Sequence, residues 1–219
     1  MTPSAIARLA RSLYRDAPLL HRWVQMGRPH ICPFEVLFQH VPPGADVLDI
    51  GSGAGLFLGL LASENRITEG VGLDACEASI TTARAMAERV VEMGFPGRLR
   101  FEQSGRGLPW PAERFDVVSL VDVIHHVPPS QQTEMFRKAV SKLRPGGRLI
   151  YKDISARPRW RMWANQLHDL LVARQWVHVA PIHRVEEWAR AQHLKAVHSA
   201  YIPRLWYGHD LRVWSSPQT

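Results

Sequence analysis

The sequence predicts an α/β fold: a doubly wound, mostly parallel, seven-stranded sheet with helices on both faces and an antiparallel pair of strands at its C-terminal edge. Three observations predict it. Strand-like and helix-like segments alternate from about Pro42 to Ile154, and right-handed crossovers between such segments give a parallel sheet covered on both sides. The apolar run of Val47, Leu48 and Ile50 leads directly into Gly51-Ser52-Gly53-Ala54-Gly55 and then Leu56 to Ala62, the pattern of a doubly buried strand, a tight turn and a helix. Two late strand-like runs, Lys195 to Ile202 and Trp206 to Trp214, lie close enough in the chain to pair antiparallel.

The remaining elements follow in order. Ser4 to about Met26 has helical spacing, with Ile6, Leu9, Leu13, Leu19 and Leu20 apolar and Arg8, Arg11, Arg15 and Arg22 among them. After the glycine turn come a second strand over Gly70 to Asp74 and a long helix from Glu77 to Met93, closed by Gly94. A short third strand covers Arg98 to Glu102, and Phe115 to Val121 forms the fourth. Ser130 starts a helix that ends near Leu143, Arg144-Pro145-Gly146-Gly147 has turn chemistry, and Arg148 to Ile154 is the fifth strand. Beyond Ser155 an aromatic and basic stretch, Pro158 to Val179 with Trp160, Trp163 and Trp176, reads as a helix, followed by a shorter one over Val185 to Gln192.

Bulk properties narrow the function. At 219 residues with 46% hydrophobic and 21% charged content, the chain suits one α/β domain with a full core. Cys32 and Cys76 are too few for a disulfide framework and lack the neighbours of a zinc site, so no metal is expected. No apolar run reaches the length of a membrane span, and Arg8, Arg11 and Arg15 interrupt any secretion-signal core. The cytoplasm is the expected location. A net charge of +7 favours acidic partners such as nucleic acid or anionic lipid, although an arginine-rich composition fits a GC-rich genome equally well.

The glycine turn is the chemical signature. Gly51, Gly53 and Gly55 remove the Cβ atoms that would keep a ligand from backbone N–H groups at a helix N-terminus. A dinucleotide fingerprint needs glycine or alanine where this chain has Leu56, which disfavours nicotinamide cofactors. Asp74, about twenty residues past Gly55, suits a carboxylate that accepts bonds from ribose hydroxyls.

These segments, with Phe115-Asp116-Val117-Val118, Val123-Ile124-His125-His126-Val127 and Leu143-Arg144-Pro145-Gly146-Gly147, together resemble class I S-adenosylmethionine-dependent methyltransferases. The nearest likeness is to the small-molecule branch that includes quinone-biosynthesis enzymes (methyltransferase type 11). The resemblance covers roughly Pro42 to Ile154 and implies a Rossmann-like core there; with an N-terminal helical cap over 1–41 and an acceptor-side helix with terminal strands over 155–219, the chain is expected to be a single methyltransferase domain over 1–219. It places Asp49 and the Gly51, Ser52, Gly53 and Gly55 backbone on the methionine part of S-adenosyl-L-methionine, and Asp74 on its ribose. Adenine is expected beside Ala75 and the loop after the third strand. There the branch usually has an aspartate where this chain has Ser104, so Ser104 or Gln103 takes over that bond with less charge.

The product would be S-adenosyl-L-homocysteine. Sulfonium methyl transfer needs alignment and dry surroundings, with a base where the acceptor is a hydroxyl of high pKa. The resemblance puts His126 in that role, with Asp122 as a second candidate for acid–base or cofactor contact. Asp153, Trp163, Tyr207 and His209 are the candidates for lining an acceptor pocket. The leading expectation is transfer to oxygen or carbon of a small, apolar or aromatic acceptor. The basic charge keeps an RNA or DNA methyltransferase as the alternative, although Asp122-Val123-Ile124-His125 lacks the prolines of amino-directed base methylases; a non-catalytic cofactor-binding or assembly protein is the third. Arg157, Arg159, Arg161 and Arg174 beside the tryptophans of 158–176 add an option of peripheral contact with the inner membrane surface. The oligomeric state has no sequence signal.

Overall fold

The structure is a computed structural model that describes residues 1–105, 109–155, 177–205 and 207–218. Its seven strands form one sheet in the order β3-β2-β1-β4-β5-β7-β6, and the chain divides into two compact units, Met1–Val117 and Val118–Thr219. The expected aromatic helix lies, over 156–176, outside the described residues, and with it Trp163.

In the first unit the single N-terminal helix expected over Ser4 to Met26 is two helices, α1 (Pro3–Leu13) and α2 (Leu19–Ile31). Pro18 makes the break. A residue before proline is disfavoured in the helical region, and Pro18 itself becomes the N-cap of α2. Thr2 caps α1 by accepting the Ala5 N–H at 3.3 Å, and Ile6, Ala10 and Leu13 bury one face of that helix. A four-residue helix, α3 (Phe34–Leu37), and a 3₁₀ turn lead into β1 (Ala45–Ile50).

Strand β1 is buried as its apolar run predicts, and α4 (Leu56–Ser63) is buried from Leu56 through Ala62. A helix apolar all round has no solvent face to present. Strand β2 (Ile67–Asp74) begins three residues earlier than its sequence pattern suggests and runs parallel to β1 with Asp49 opposite Gly72 and Ile50 opposite Leu73. Helix α5 (Glu77–Glu92) ends at Gly94, whose φ of +77° lets the chain reverse into β3 (Arg98–Gln103). Strands β2 and β3 are parallel, which sets Gln103 opposite Asp74.

Strand β4 (Phe115–Val121) matches its predicted bounds. The second unit continues through a 3₁₀ turn at Ile124–His126, α6 (Pro129–Val140), β5 (Leu143–Ile154), α7 (Ile182–Ala191), β6 (Lys195–Arg204) and β7 (Tyr207–Ser215). Here Arg144-Pro145-Gly146-Gly147, expected to be a turn, is the start of β5. The reason is a partner distant in sequence. Gly146 N–H donates to Pro217 O and Ser216 N–H to Gly147 O, both at 2.8 Å, while Ser216 Oγ donates to Arg144 O at 2.7 Å. Gly146 absorbs the irregularity at φ +73°.

The expected antiparallel terminal pair is present: β7 pairs antiparallel with both β5 and β6. Trp188, Phe136, Trp214 and Tyr151 form an aromatic cluster in this unit, with ring centroids 5.8 to 6.4 Å apart in successive pairs. Among the described residues no helix is long and apolar enough to cross a membrane.

Candidate active site

The glycine turn of the first unit is held from beneath by β2. Gly51 N–H and Ser52 N–H both donate to Leu73 O, at 2.7 and 2.9 Å, and Gly55 N–H donates to Ser52 O at 2.9 Å. These bonds force positive φ at Gly51 (+75°), Gly53 (+55°) and Gly55 (+83°), a region costly to residues with a Cβ. The carboxylate of Asp74 closes the structure. Its Oδ2 accepts Gly53 N–H and its Oδ1 accepts Cys76 N–H, both at 2.8 Å.

Gly55 and Gly53 serve different ends. A Cβ on Gly55 would lie 2.6 Å from Phe101 Cζ and 2.8 Å from Met86 Cε, so this glycine makes room for the core, and its N–H is already engaged. A Cβ on Gly53 would meet only Arg28 Nη1, at 3.8 Å. The open approach is therefore at Gly53. Ser52 Oγ is buried and makes no hydrogen bond among the described residues, and Asp49 is buried at the end of β1.

Ala75, Gln103 and Ser104 lie next to Asp74 in the structure. Ser104 N–H donates to Asp74 O at 2.8 Å, and the Gln103 amide donates to Ala75 O at 3.3 Å. Sequence reasoning missed two residues here. Tyr14, fully buried after α1, donates its hydroxyl to Ala54 O at 2.7 Å and so ties the N-terminal helices to the turn. Burial pushes its phenol far above the usual range, against a smaller opposing pull from the Arg28 charge, so the hydroxyl stays a donor. Arg28 is the second, brought beside Gly53 by α2.

In the second unit a lysine–carboxylate ion pair and a histidine–carboxylate hydrogen bond lie at the ends of β4 and β5. Asp122 follows β4 with φ +56°, unusual for a residue with a side chain. Its backbone N–H donates to Lys152 O at 2.8 Å, and its carboxylate takes the Lys152 ammonium at 2.6 and 2.8 Å. Lys152 is 1% exposed, so the charge is compensated by Asp122 in a setting where an unpaired ammonium would be costly.

The other pair is His125 with Asp153. Both are buried, Asp153 Oδ1 bonds His125 Nδ1 and also accepts Ile154 N–H at 2.8 Å, and Asp153 Oδ2 accepts the His125 backbone N–H at 3.2 Å. His126 is exposed, its ring centroid 4.1 Å from that of His125. His125, the buried one of the two, is thus joined to a carboxylate. Tyr207 and His209 are buried on β7 with rings stacked at 5.7 Å, and His209 lies opposite Ile154.

Asp122, His125 and Asp153 present ligand atoms within 4.8 Å of one another. The Lys152 ammonium, bonded to both Asp122 oxygens, stands where a cation bound by that carboxylate would compete with it. The donor set therefore fits proton handling better than metal binding.

A family described as "Methyltransferase domain" matches residues 28–199. The chain belongs to this family. Among curated members it is 32% identical over 171 residues to the erythromycin 3''-O-methyltransferase of Saccharopolyspora erythraea, covering 69% of this chain and 53% of that protein. It is 31% identical over 113 residues to a ubiquinone biosynthesis O-methyltransferase of Coxiella burnetii, covering 51% of this chain and 44% of that one. The chain thus spans about half the length of the curated relatives it matches. The crystal structure of magnesium protoporphyrin IX methyltransferase from Synechocystis PCC 6803, solved with bound SAM, superposes with a TM-score of 0.66 at 17% identity over 95% of this chain and 90% of that one, a likeness of fold. Within this methyltransferase family chain, both clusters follow the carboxyl ends of sheet strands, where ligands of open α/β sheets bind.

Proposed function

We propose that this chain transfers the methyl group of S-adenosylmethionine to a hydroxyl oxygen of a small, apolar or aromatic acceptor, with His125 as general base. The observation that carries the reading is the buried pair of His125 and Asp153. A carboxylate on Nδ1 fixes the ring and its tautomer and stabilises the imidazolium formed when Nε2 takes a proton. Such a base is what a hydroxyl acceptor requires and what a more nucleophilic acceptor can do without.

The cofactor fits the first unit on three counts. Gly53 is open to approach, each Asp74 oxygen accepts one backbone bond and keeps a lone pair for a ribose hydroxyl, and Ser52 Oγ is a buried polar atom with unmet capacity. Arg28, beside Gly53, would bind the carboxylate of the methionine end. Gln103 and Ser104 would bind adenine. When bound, the cofactor supplies an electrophilic methyl group on a sulfonium. Lys152 holds the Asp122 carboxylate in place through two hydrogen bonds, and Asp153 keeps His125 aimed. The relatives named for erythromycin and ubiquinone O-methylation support a small acceptor with an oxygen nucleophile.

Two measurements test this. Calorimetric titration is expected to show binding of S-adenosylmethionine and S-adenosylhomocysteine and none of NAD; absence of heat with both sulfur compounds overturns the cofactor assignment. Incubation with a panel of small phenols and alcohols, read by mass spectrometry, is expected to yield an acceptor that gains one methyl on oxygen. Product methylated only on carbon or nitrogen would remove the base role.

A further inference from the structure

Helix α2 carries an apolar face that nothing among the described residues covers. Leu19, Leu20, Trp23 and Val24 are 72%, 73%, 69% and 42% exposed. Their spacing of one and four residues puts them on one side of the first two turns. The helix is nonetheless anchored: His21 Nδ1 bonds Thr82 Oγ1 of α5 at 3.0 Å, and Gln25 and Pro29 are buried. This is a fixed face rather than a frayed end. Four of the large apolar side chains exposed among the described residues fall within these six positions, a concentration that soluble surfaces rarely leave without a use.

The charge around it is one-sided. Arg8 and Arg11 on α1 and Arg15 in the turn that follows it are exposed, Arg22 lies among the α2 apolar residues in sequence, and Asp16 is the sole acid of residues 1–31. Asp16 is itself 3.4 Å from the Arg15 guanidinium. A second copy of so basic a face would be repelled. Leucine and tryptophan beside arginine is the composition that settles at a bilayer interface, where the indole and aliphatic groups enter the acyl boundary and the guanidinium groups meet headgroup phosphates.

We propose that the α1–α2 hairpin docks this protein on the surface of an anionic lipid bilayer, with Leu19, Leu20 and Trp23 inserted and Arg8, Arg11, Arg15 and Arg22 on the headgroups. The inference stands independently of the methyl-transfer reading.

Flotation of the full chain with vesicles of phosphatidylcholine and phosphatidylglycerol, and with vesicles of phosphatidylcholine alone, is the test. The protein is expected to float with the anionic vesicles at low salt and to be released as salt rises. L20E/W23E is expected to lower the bound fraction about tenfold or more, and R8Q/R11Q/R15Q to lower it by a similar factor while flattening the salt dependence. Circular dichroism and the S-adenosylmethionine dissociation constant of both variants are expected to match the parent, which reports folding separately from docking. Flotation equal for parent and L20E/W23E overturns the proposal. So does a failure of the parent to float, or a concentration-dependent dimer or an acidic-protein complex that L20E/W23E abolishes while vesicle binding persists. Loss of cofactor binding with flotation intact would sink the methyltransferase reading and leave the docking surface standing.

Discussion

Asp74 holds the glycine turn together by accepting the Gly53 N–H at 2.8 Å, across 21 residues of sequence, and the same carboxylate accepts Cys76 N–H through its other oxygen. The group proposed to bind ribose therefore also shapes the loop beside which the rest of the cofactor would lie. Removing it should cost both. Asp74→Ala is expected to weaken S-adenosylmethionine binding by roughly 10- to 100-fold, the equivalent of about 1.5–3 kcal/mol for bonds to a charged acceptor. It should also lower the melting temperature by a few degrees, whereas Asp74→Asn should keep part of both. Calorimetry and thermal melts on the pair of variants check this, and unchanged affinity in Asp74→Ala would contradict the ribose placement.

Arg28 gives a sharper discrimination because its proposed partner is one end of the cofactor. Arg28→Gln is expected to weaken S-adenosylmethionine binding by about tenfold, in keeping with a charge-assisted bond, and to leave adenosine affinity unaltered. Competition titrations with both ligands decide it. An equal loss for adenosine would show that the substitution disturbs the fold of the turn rather than a contact with the amino acid.

His125 is buried against Asp153, and His126 is exposed. His125→Ala is expected to reduce kcat by roughly 100-fold or more, the usual contribution of a positioned general base, with cofactor affinity nearly intact. Asp153→Asn should produce a comparable loss by unfixing the tautomer, and His126→Ala a smaller one. Steady-state kinetics on the acceptor found by the screen, over a range of pH, measures this. A larger loss for His126→Ala than for His125→Ala would transfer the base role to the exposed ring.

What sequence pattern could show follows from how far apart the interacting residues are. The buried strand, glycine turn and apolar helix are contiguous, so Val47 to Ala62 was readable from periodicity, and β4 and α5 were likewise bounded by local signals. The break before α2 does have a local signal in Pro18, since proline restricts its predecessor wherever it occurs. Other features had no local trace. Arg144-Pro145-Gly146-Gly147 joins β5 only because Ser216 and Pro217 pair with it, and Tyr14 reaches Ala54 across 40 residues. The spacing of adjacent histidines cannot tell which one faces Asp153, 28 positions on. The positive φ of Asp122 goes with a two-ended attachment to Lys152, 30 positions on.

Tyr14 lends itself to a stability test because it does not titrate in the working range. Its hydroxyl is buried and donates to a backbone carbonyl that has little other access to water. Tyr14→Phe leaves Ala54 O short of a donor and is expected to destabilise the fold by about 1–2 kcal/mol. For a chain of this size that is a fall of roughly 3–6 °C in Tm. Scanning calorimetry measures it, and an unchanged Tm would mean the carbonyl finds another donor.

The two ends of the glycine turn should fail in different ways. At Gly55 a methyl group collides with Phe101 and Met86 in the core and also meets an unfavourable φ of +83°. Gly55→Ala is therefore expected to lose about 2–4 kcal/mol, adding overpacking to the left-handed backbone cost. At Gly53 the same methyl group meets only the Arg28 guanidinium at 3.8 Å, and the φ of +55° alone costs about 1–2 kcal/mol. Its larger effect should fall on the ligand, because the methyl group stands in the open approach to the turn. Gly53→Ala is expected to melt closer to the parent than Gly55→Ala does, yet to bind S-adenosylmethionine more weakly than the parent by about tenfold or more. If Gly53→Ala kept full affinity, the cofactor would not lie on the open side of the turn.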